Sequence, residues 1–264
     1  MTKQQILIET EKQFSLCAAN TVSADAAISP EMAGLQIYEA PLVGFASAAD
    51  SLFAEFKRPE VIGPHFMSPE EWLPGAKTVI SFFFPFTERV RKSTRALSDG
   101  PSPEWLHGRI EGQACLTSFI SALKKVFDEA GIESCVPVTD SRFNQQGFAS
   151  CWSERHIAYA CGLGTFGLSK GLITEKGIAG RFISIIISES IEPDVRPYSG
   201  IYDYCSMCGA CVRRCPVGAI SLKTGKNHPL CAQFQQKMGA IHAPRYGCGL
   251  CQTAVPCEHA RPVK

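Results

Sequence analysis

The sequence predicts an α+β protein, with a layered body of strands and helices over residues 1–195 and a small cysteine-rich module over residues 196–264. Three observations carry this. Two short runs of β-branched and aromatic residues, 77–84 and 181–188, read as buried strands. Residues 109–130 place Leu116, Phe119, Ile120, Leu123 and Phe127 on one helical face. Eight of the 13 cysteines crowd into residues 205–257.

Residues 3–20 carry Ile6, Ile8, Phe14 and Leu16 on a helical period, with Lys and Glu between them. Gly34 to Ala40 and Leu42 to Ala46 read as strand material. Ser68-Pro69-Glu70-Glu71 is a helix start, with Ser as N-cap and Pro at the first position. The run from Lys77 to Phe84 is bounded by Pro85. The helix over 109–130 stops at Gly131. Cys135 to Thr139 reads as a short strand ending at Asp140. Ser153-Glu154-Arg155-His156 opens a helix that runs to Gly162-Leu163-Gly164. The run from Arg181 to Ser188 has few polar interruptions, which predicts a central strand. Pro193 to Pro197 is the expected join.

At 264 residues the chain can bury a substantial core, and its 45% apolar and 19% charged composition is that of a globular protein. A net charge of +1 with well-mixed signs shows no footprint for nucleic acid, and Arg213-Arg214 is the only tight basic pair near the cysteines. The first residues read as an amphipathic stretch without a cleavage site, and no apolar run is of membrane-spanning length. The clustered cysteines are therefore expected to be metal ligands in a reducing cytoplasm rather than disulfides.

Cys205-x2-Cys208-x2-Cys211-x3-Cys215-Pro216 is the spacing of a bacterial ferredoxin, in which three thiolates hold one iron–sulfur cluster and the fourth crosses to a second. Structural zinc is the alternative, but a third cysteine at x2 followed by x3-Cys-Pro is not how zinc sites are built. Cys231, Cys248, Cys251 and Cys257 bring the total to the eight that two 4Fe–4S clusters require. The second group is less regular: five residues separate Cys251 from Cys257, and Glu258 stands where proline would follow. The scattered Cys17, Cys115, Cys135, Cys151 and Cys161 read as free thiols.

Leu42 to Ala46, Trp72 to Ile80, Val138-Thr139-Asp140-Ser141, Glu154-Arg155, Gly162 to Gly167 and the strand after Arg181 resemble epoxyqueuosine reductases, and more distantly reductive dehalogenases. The resemblance covers most of residues 34–257. It implies a nitroreductase-like domain holding base-off cobalamin, followed by a ferredoxin-like module with two 4Fe–4S clusters. It assigns Cys205, Cys208, Cys211 and Cys257 to one cluster, closer to the corrin, and Cys215, Cys231, Cys248 and Cys251 to the other. Asp140 would be the proton donor. Ser141, Glu154, Arg155, His156, Gly162, Leu163, Gly164, Thr165 and Gly167 would bind the cofactor, the glycines allowing close backbone approach.

Two departures from the family lie near the pocket, at Asn144-Gln145-Gln146-Gly147 and at Leu168-Ser169-Lys170. The sequence ends at Lys264, without the helical-repeat extension that grips tRNA in full-length members. The expectation is a short relative acting on a small molecule rather than tRNA, reduced by an external donor of ferredoxin or flavodoxin type. The other readings are an electron carrier that reduces a partner's corrinoid or flavin, and a flavin in the same pocket. Arg181 is expected either to neutralise a cofactor carboxylate or phosphate or to pair with Glu175. His107 and Arg109 would face the pocket or solvent, and Tyr202 and Tyr204 would pack near a cluster.

Overall fold

The computed structural model describes residues 1–263. Its centre is a four-stranded sheet of β1 (Leu42–Ser47), β2 (Thr78–Pro85), β3 (Ser134–Cys135) and β4 (Gly180–Ile187), in the order β1-β2-β4-β3 and antiparallel throughout. β2 is buried along its whole length because each face of the sheet is covered. On one face Phe82 and Phe84 meet Phe119 of helix α2 (Glu111–Glu129), with ring centroids 5.2 and 5.0 Å apart. Helix α1 (Lys3–Ser15) completes that core through Ile6. On the other face Val79 and Ile186 pack with Trp152 and with Ile157 of helix α3 (Glu154–Ala160). β4 pairs on both sides, as its uninterrupted apolar run predicts.

Two predicted strands are corrected. Residues 34–40 make only isolated bridges, Thr21 to Gln36 and Tyr38 to Phe86, and no strand. Of the run from Cys135 to Thr139, only Cys135 pairs in the sheet; Pro137 cannot donate to a ladder and instead opens a 3-10 turn over Pro137–Thr139. Among the described residues no helix is long and apolar enough to cross a membrane.

The cysteine-rich segment is built from a one-turn helix (Ala210–Arg213), a two-stranded hairpin (Ile220–Ser221 with Gly225–Lys226) and helix α4 (His228–His242). Its closing residues return to the body. Ile178 and Ala179, just before β4, donate backbone hydrogen bonds to the carbonyls of Cys257 and Glu258. Gly177, at φ +79°, lets the two backbones approach so closely that a Cβ there would strike Glu258 and His259.

Glu258 is 1% exposed. It accepts from Arg95 through both oxygens, at 3.0 and 2.7 Å, and from the Ala254 amide at 2.7 Å, with Arg91 at 3.5 Å. Arg214 forms a second brace: it donates to the carbonyls of Thr94 and Leu97 in the body and of Leu250 and Thr253 in the module.

A buried carboxylate answered by two guanidiniums is costly to break on one side. Glu258→Gln is therefore expected to lower unfolding stability by about 3 kcal/mol, read from denaturant melts. Glu175→Gln, which removes a surface pair with Arg261, should change stability by no more than about 1 kcal/mol. Equal effects of the two substitutions would show that Glu258 is not the joint.

Candidate functional site

The eight cysteines of residues 205–257 fall into two quartets. Cys205, Cys208, Cys211 and Cys257 line a small pocket with Leu168, Ile173, Val255 and Pro262. Cys215, Cys231, Cys248 and Cys251 line a separate and larger cleft. Chain direction makes the division. Gly209, at φ +69°, starts the helical turn that carries Cys211 back toward Cys205 and Cys208, and Cys215 emerges beyond that turn.

The thiols sense their neighbours in the same two sets. Burial, then Cys211 and Cys205, push the Cys257 thiol up to about 12. Burial, with Cys251, Cys231 and Cys215 adding to it, pushes Cys248 up to about 12. The quartets meet at Cys211, which is pushed up to about 11 by burial and then by Cys251 ahead of its own set. Crowded, protonated thiols of this kind release protons when they bind metal. Among the described residues no three His, Cys, Asp or Glu side chains converge as the ligands of a single ion do. Sulfurs at the corners of an iron–sulfur cube stand farther apart than those around one ion. The donor sets thus fit two clusters by residue type, number and grouping.

The cleft encloses about 630 Å³ between body and module. Ser153, Glu154 and Arg155 at the start of α3 form one wall, with Gly180, Arg181 and Phe182 of β4. Trp105, Gly108 and Arg109 continue it, and the second quartet faces them with Lys226 and Tyr246. Both carboxyl oxygens of Glu154 are shut from solvent and make no hydrogen bond. Burial pushes this acid up to about 7, although the nearby Ser184 hydroxyl and backbone oppose the shift. An orphaned acceptor in a cleft wall is what an amide-bearing macrocycle such as a corrin would satisfy, so Glu154 fits such a cofactor.

The other predicted residues lie elsewhere. Asp140 is absent from the cleft wall, though Val138 and Phe143 on either side of it line the cleft. Arg142 clasps its carboxylate at 2.9 and 2.8 Å and holds it down at about 2. An acid so held is ionised near neutral pH, so in this conformation Asp140 has no proton to give. Its neighbour Ser141 is exposed and also off the cleft wall.

His156 accepts or donates a 2.8 Å bond with Ser153, packs against Phe56 and Phe166, and is lowered to about 4 by burial. That is a structural histidine. Leu163, Gly164 and Thr165 pack inside the protein, and Gly162 is half-buried. A Cβ at Gly164 would strike the Ile173 carbonyl, Leu163 packs against Gly44, and the Thr165 hydroxyl accepts from the Tyr204 amide at 2.8 Å. Gly167 lines the first thiol pocket. None of Gly162, Gly164 and Gly167 is in the cleft wall. The cleft opens on the Cys215 quartet, and none of Cys205, Cys208, Cys211 and Cys257 is in its wall.

Arg181 does not pair with Glu175, whose carboxylate lies 3.7 Å from Arg261. His107 is fully buried and bonds Glu111 at 3.0 Å. Cys17 and Cys115 hold their sulfurs 3.6 Å apart, well beyond the roughly 2.05 Å of a disulfide, and are free thiols. Lys226 and Tyr246 went unnoticed in the sequence because only tertiary folding brings them to the cleft.

Residues 199–221 match the 4Fe-4S binding domain family. No curated protein matches the chain in sequence. Among solved structures it resembles an epoxyqueuosine reductase bound to an epoxyqueuosine-modified tRNA stem loop, with a TM-score of 0.57 and 18% identity over 98% of this chain and 68% of that one. It resembles the Bacillus subtilis epoxyqueuosine reductase, seen with its catalytic aspartate loop swung out of the active site, with a TM-score of 0.55 and 19% identity over 98% and 67%. A reductive dehalogenase studied for B12-dependent dehalogenation gives 0.53 and 14% over 84% of this chain and 30% of that one. The fold is thus shared with both groups of enzymes.

The state of Glu154 has a measurable consequence. Its folded value of about 7 lies above its ordinary 4.5. Between those values the folded chain keeps a proton that the unfolded chain releases, so stability falls as pH rises through that window and levels off above it. Glu154→Gln should abolish this slope. The variant is expected to gain on the parent between pH 5 and pH 7.5 by roughly 2 kcal/mol, read from melts across pH. Parallel curves would show that Glu154 is ionised or partnered.

Proposed function

We propose that this chain is an iron–sulfur reductase that holds a base-off corrinoid in the cleft and acts on a small molecule. The observation that carries the reading is that one thiol quartet opens into a cleft whose facing wall bears a buried, unpartnered carboxyl. An electron carrier needs no such cleft beside its thiols. Residues 1–195 would form a nitroreductase-like cofactor domain, and residues 196–264 a ferredoxin-like one.

Cys205, Cys208, Cys211 and Cys257 would hold one 4Fe–4S cluster, and Cys215, Cys231, Cys248 and Cys251 the other. Ser153, Glu154 and Arg155 would hold the corrinoid. When bound, the clusters supply one-electron carriers and the corrinoid a low-valent cobalt. The chain's own residues do the rest. Trp105, Trp152 and Phe182 line the cleft and would exclude water from it. Asp140 would supply a proton once it leaves Arg142, and the swung-out catalytic aspartate loop of the Bacillus subtilis structure is a precedent for two positions of such a loop.

Cys208 is the exposed thiol of the first quartet and is not in the cleft wall. Exposed Met207, Leu222 and Arg213 surround it, with the Arg213 guanidinium bonded to the Cys208 carbonyl at 3.3 Å. An external donor of ferredoxin or flavodoxin type would dock there.

The first experiment is anaerobic reconstitution, incubation with cobalamin, desalting, and counts of iron and cobalt with a visible spectrum. About eight irons and one base-off cobalt per chain are expected, and Cys208→Ala should retain about four irons. Eight irons without cobalt would move the assignment to an electron carrier or a flavoprotein. Arg213→Glu is expected to slow reduction by an acidic ferredoxin about tenfold at low salt while leaving dithionite reduction unchanged.

A further inference from the structure

We propose that Arg109 and Arg181 form an anion subsite in the cleft, built to hold a phosphate or carboxylate group of a bound small molecule; this rests on the cleft being a ligand site. Four cations line the cleft, Arg109, Arg155, Arg181 and Lys226, against the single carboxyl of Glu154. They serve two different neighbourhoods. Arg155 and Lys226 lie within electrostatic reach of Cys251, so their charge faces the thiols of the second quartet. Arg109 instead feels Arg181 and the phenol of Tyr38, with no thiol among its electrostatic neighbours.

The two arginines are held in place by neutral groups. Arg181 donates to the Gln113 side-chain oxygen at 2.7 Å and to the Gly108 carbonyl at 3.4 Å. The Arg109 guanidinium lies over the Tyr246 ring, 4.3 Å from its centroid, and hydrogen-bonds to the Tyr246 hydroxyl. Elsewhere in the body and module, Arg91, Arg95, Arg142, Arg196 and Arg245 each meet a carboxylate. Among the described residues neither Arg109 nor Arg181 has one.

Like charges placed side by side on a partly buried wall repel. Burial first, and then Arg181, bring Arg109 down to about 10. An oxyanion between the two guanidiniums removes that repulsion and accepts from planar, fixed donors, which is the geometry arginine offers phosphate and carboxylate. Glu154, raised to about 7 by its burial, carries only part of a full negative charge at neutral pH. The group so held is either the phosphate of the corrinoid's nucleotide tail or an anionic group of the substrate.

The test is calorimetric titration of the cluster-loaded full chain with inorganic phosphate at low ionic strength. Saturable binding at one site is expected, weakened about tenfold by Arg109→Gln or Arg181→Gln, the order of one lost charge-assisted bond. Arg181→Lys should recover part of the loss, and Lys223→Gln should change nothing. Iron content and melting temperature identify any variant that fails to fold. Absence of saturable binding, or equal binding by parent and glutamine variants, overturns the subsite.

Repeating the titration on protein saturated with cobalamin or with cobinamide, which lacks the nucleotide tail, separates the two sources. Displacement by cobalamin alone assigns the site to the cofactor's phosphate. Phosphate binding that survives both assigns it to the substrate. Displacement by both would place the ring itself over the arginines and overturn the proposal. A chain that takes up no corrinoid still yields the phosphate titration, so the two readings can fail separately.

Discussion

The arrangement depends on a buried carboxylate near the C-terminus. Glu258 reaches across to Arg95 and Arg91 of the body while its backbone carbonyl accepts from Ala179 at the start of β4. Cys257 is its immediate neighbour and accepts from Ile178 in the same way. The last cysteine of the first quartet is therefore tied to the body as well as to the module it closes. A charge this deeply buried is tolerable only with its partners in place, which ties the position of Cys257 to docking of the tail.

This joint explains the feature that looked irregular in sequence. The longer step from Cys251 to Cys257 is occupied by Gln252, Thr253, Ala254, Val255 and Pro256, which turn the chain so that the Ala254 amide caps Glu258 at 2.7 Å. Ala254 adopts φ +52° to do so. Thr253 offers its carbonyl to Arg214, which also holds Leu250 and two carbonyls of the body. The basic pair Arg213-Arg214 thus divides between an internal brace and an exposed side chain beside Cys208. Neighbouring residues of one type take opposite roles because a short helix points them in different directions.

Much of this was legible from sequence where the signal is local. The x2-x2-x3 cysteine spacing, the apolar runs that become β2 and β4, and the helical face of Leu116, Phe119 and Leu123 all depend on near neighbours. Pairing direction and the shape of the cleft depend on distant ones. The order β1-β2-β4-β3 joins segments about a hundred residues apart, and no periodicity records it. Gly162 to Gly167 is ambiguous for a related reason: a glycine needed for close approach reads the same whether the approaching group is a cofactor or, as at Gly164, the Ile173 backbone. Glu154 was singled out only through family resemblance; that its oxygens are orphaned could come only from the packed structure.

Two carboxyls near the cleft have been driven in opposite directions by their surroundings. Arg142 keeps Asp140 at about 2, while burial without a partner raises Glu154 to about 7. Environments that separate two acids in this way fix which one can carry a proton near neutral pH. Here it is Glu154, which is shut from solvent, whereas Asp140 is on a loop whose following residues, Ser141 to Phe148, are mostly exposed. For Asp140 to act as an acid, the Arg142 clasp must open first, and its carboxyl must then enter a less hydrated setting that raises its affinity for a proton. The cleft offers that setting through Trp152 and Phe143, and the loop is anchored to it on both sides by Val138 and Ser150. Proton supply in such a site would be set by loop position rather than by the intrinsic acidity of the group it carries.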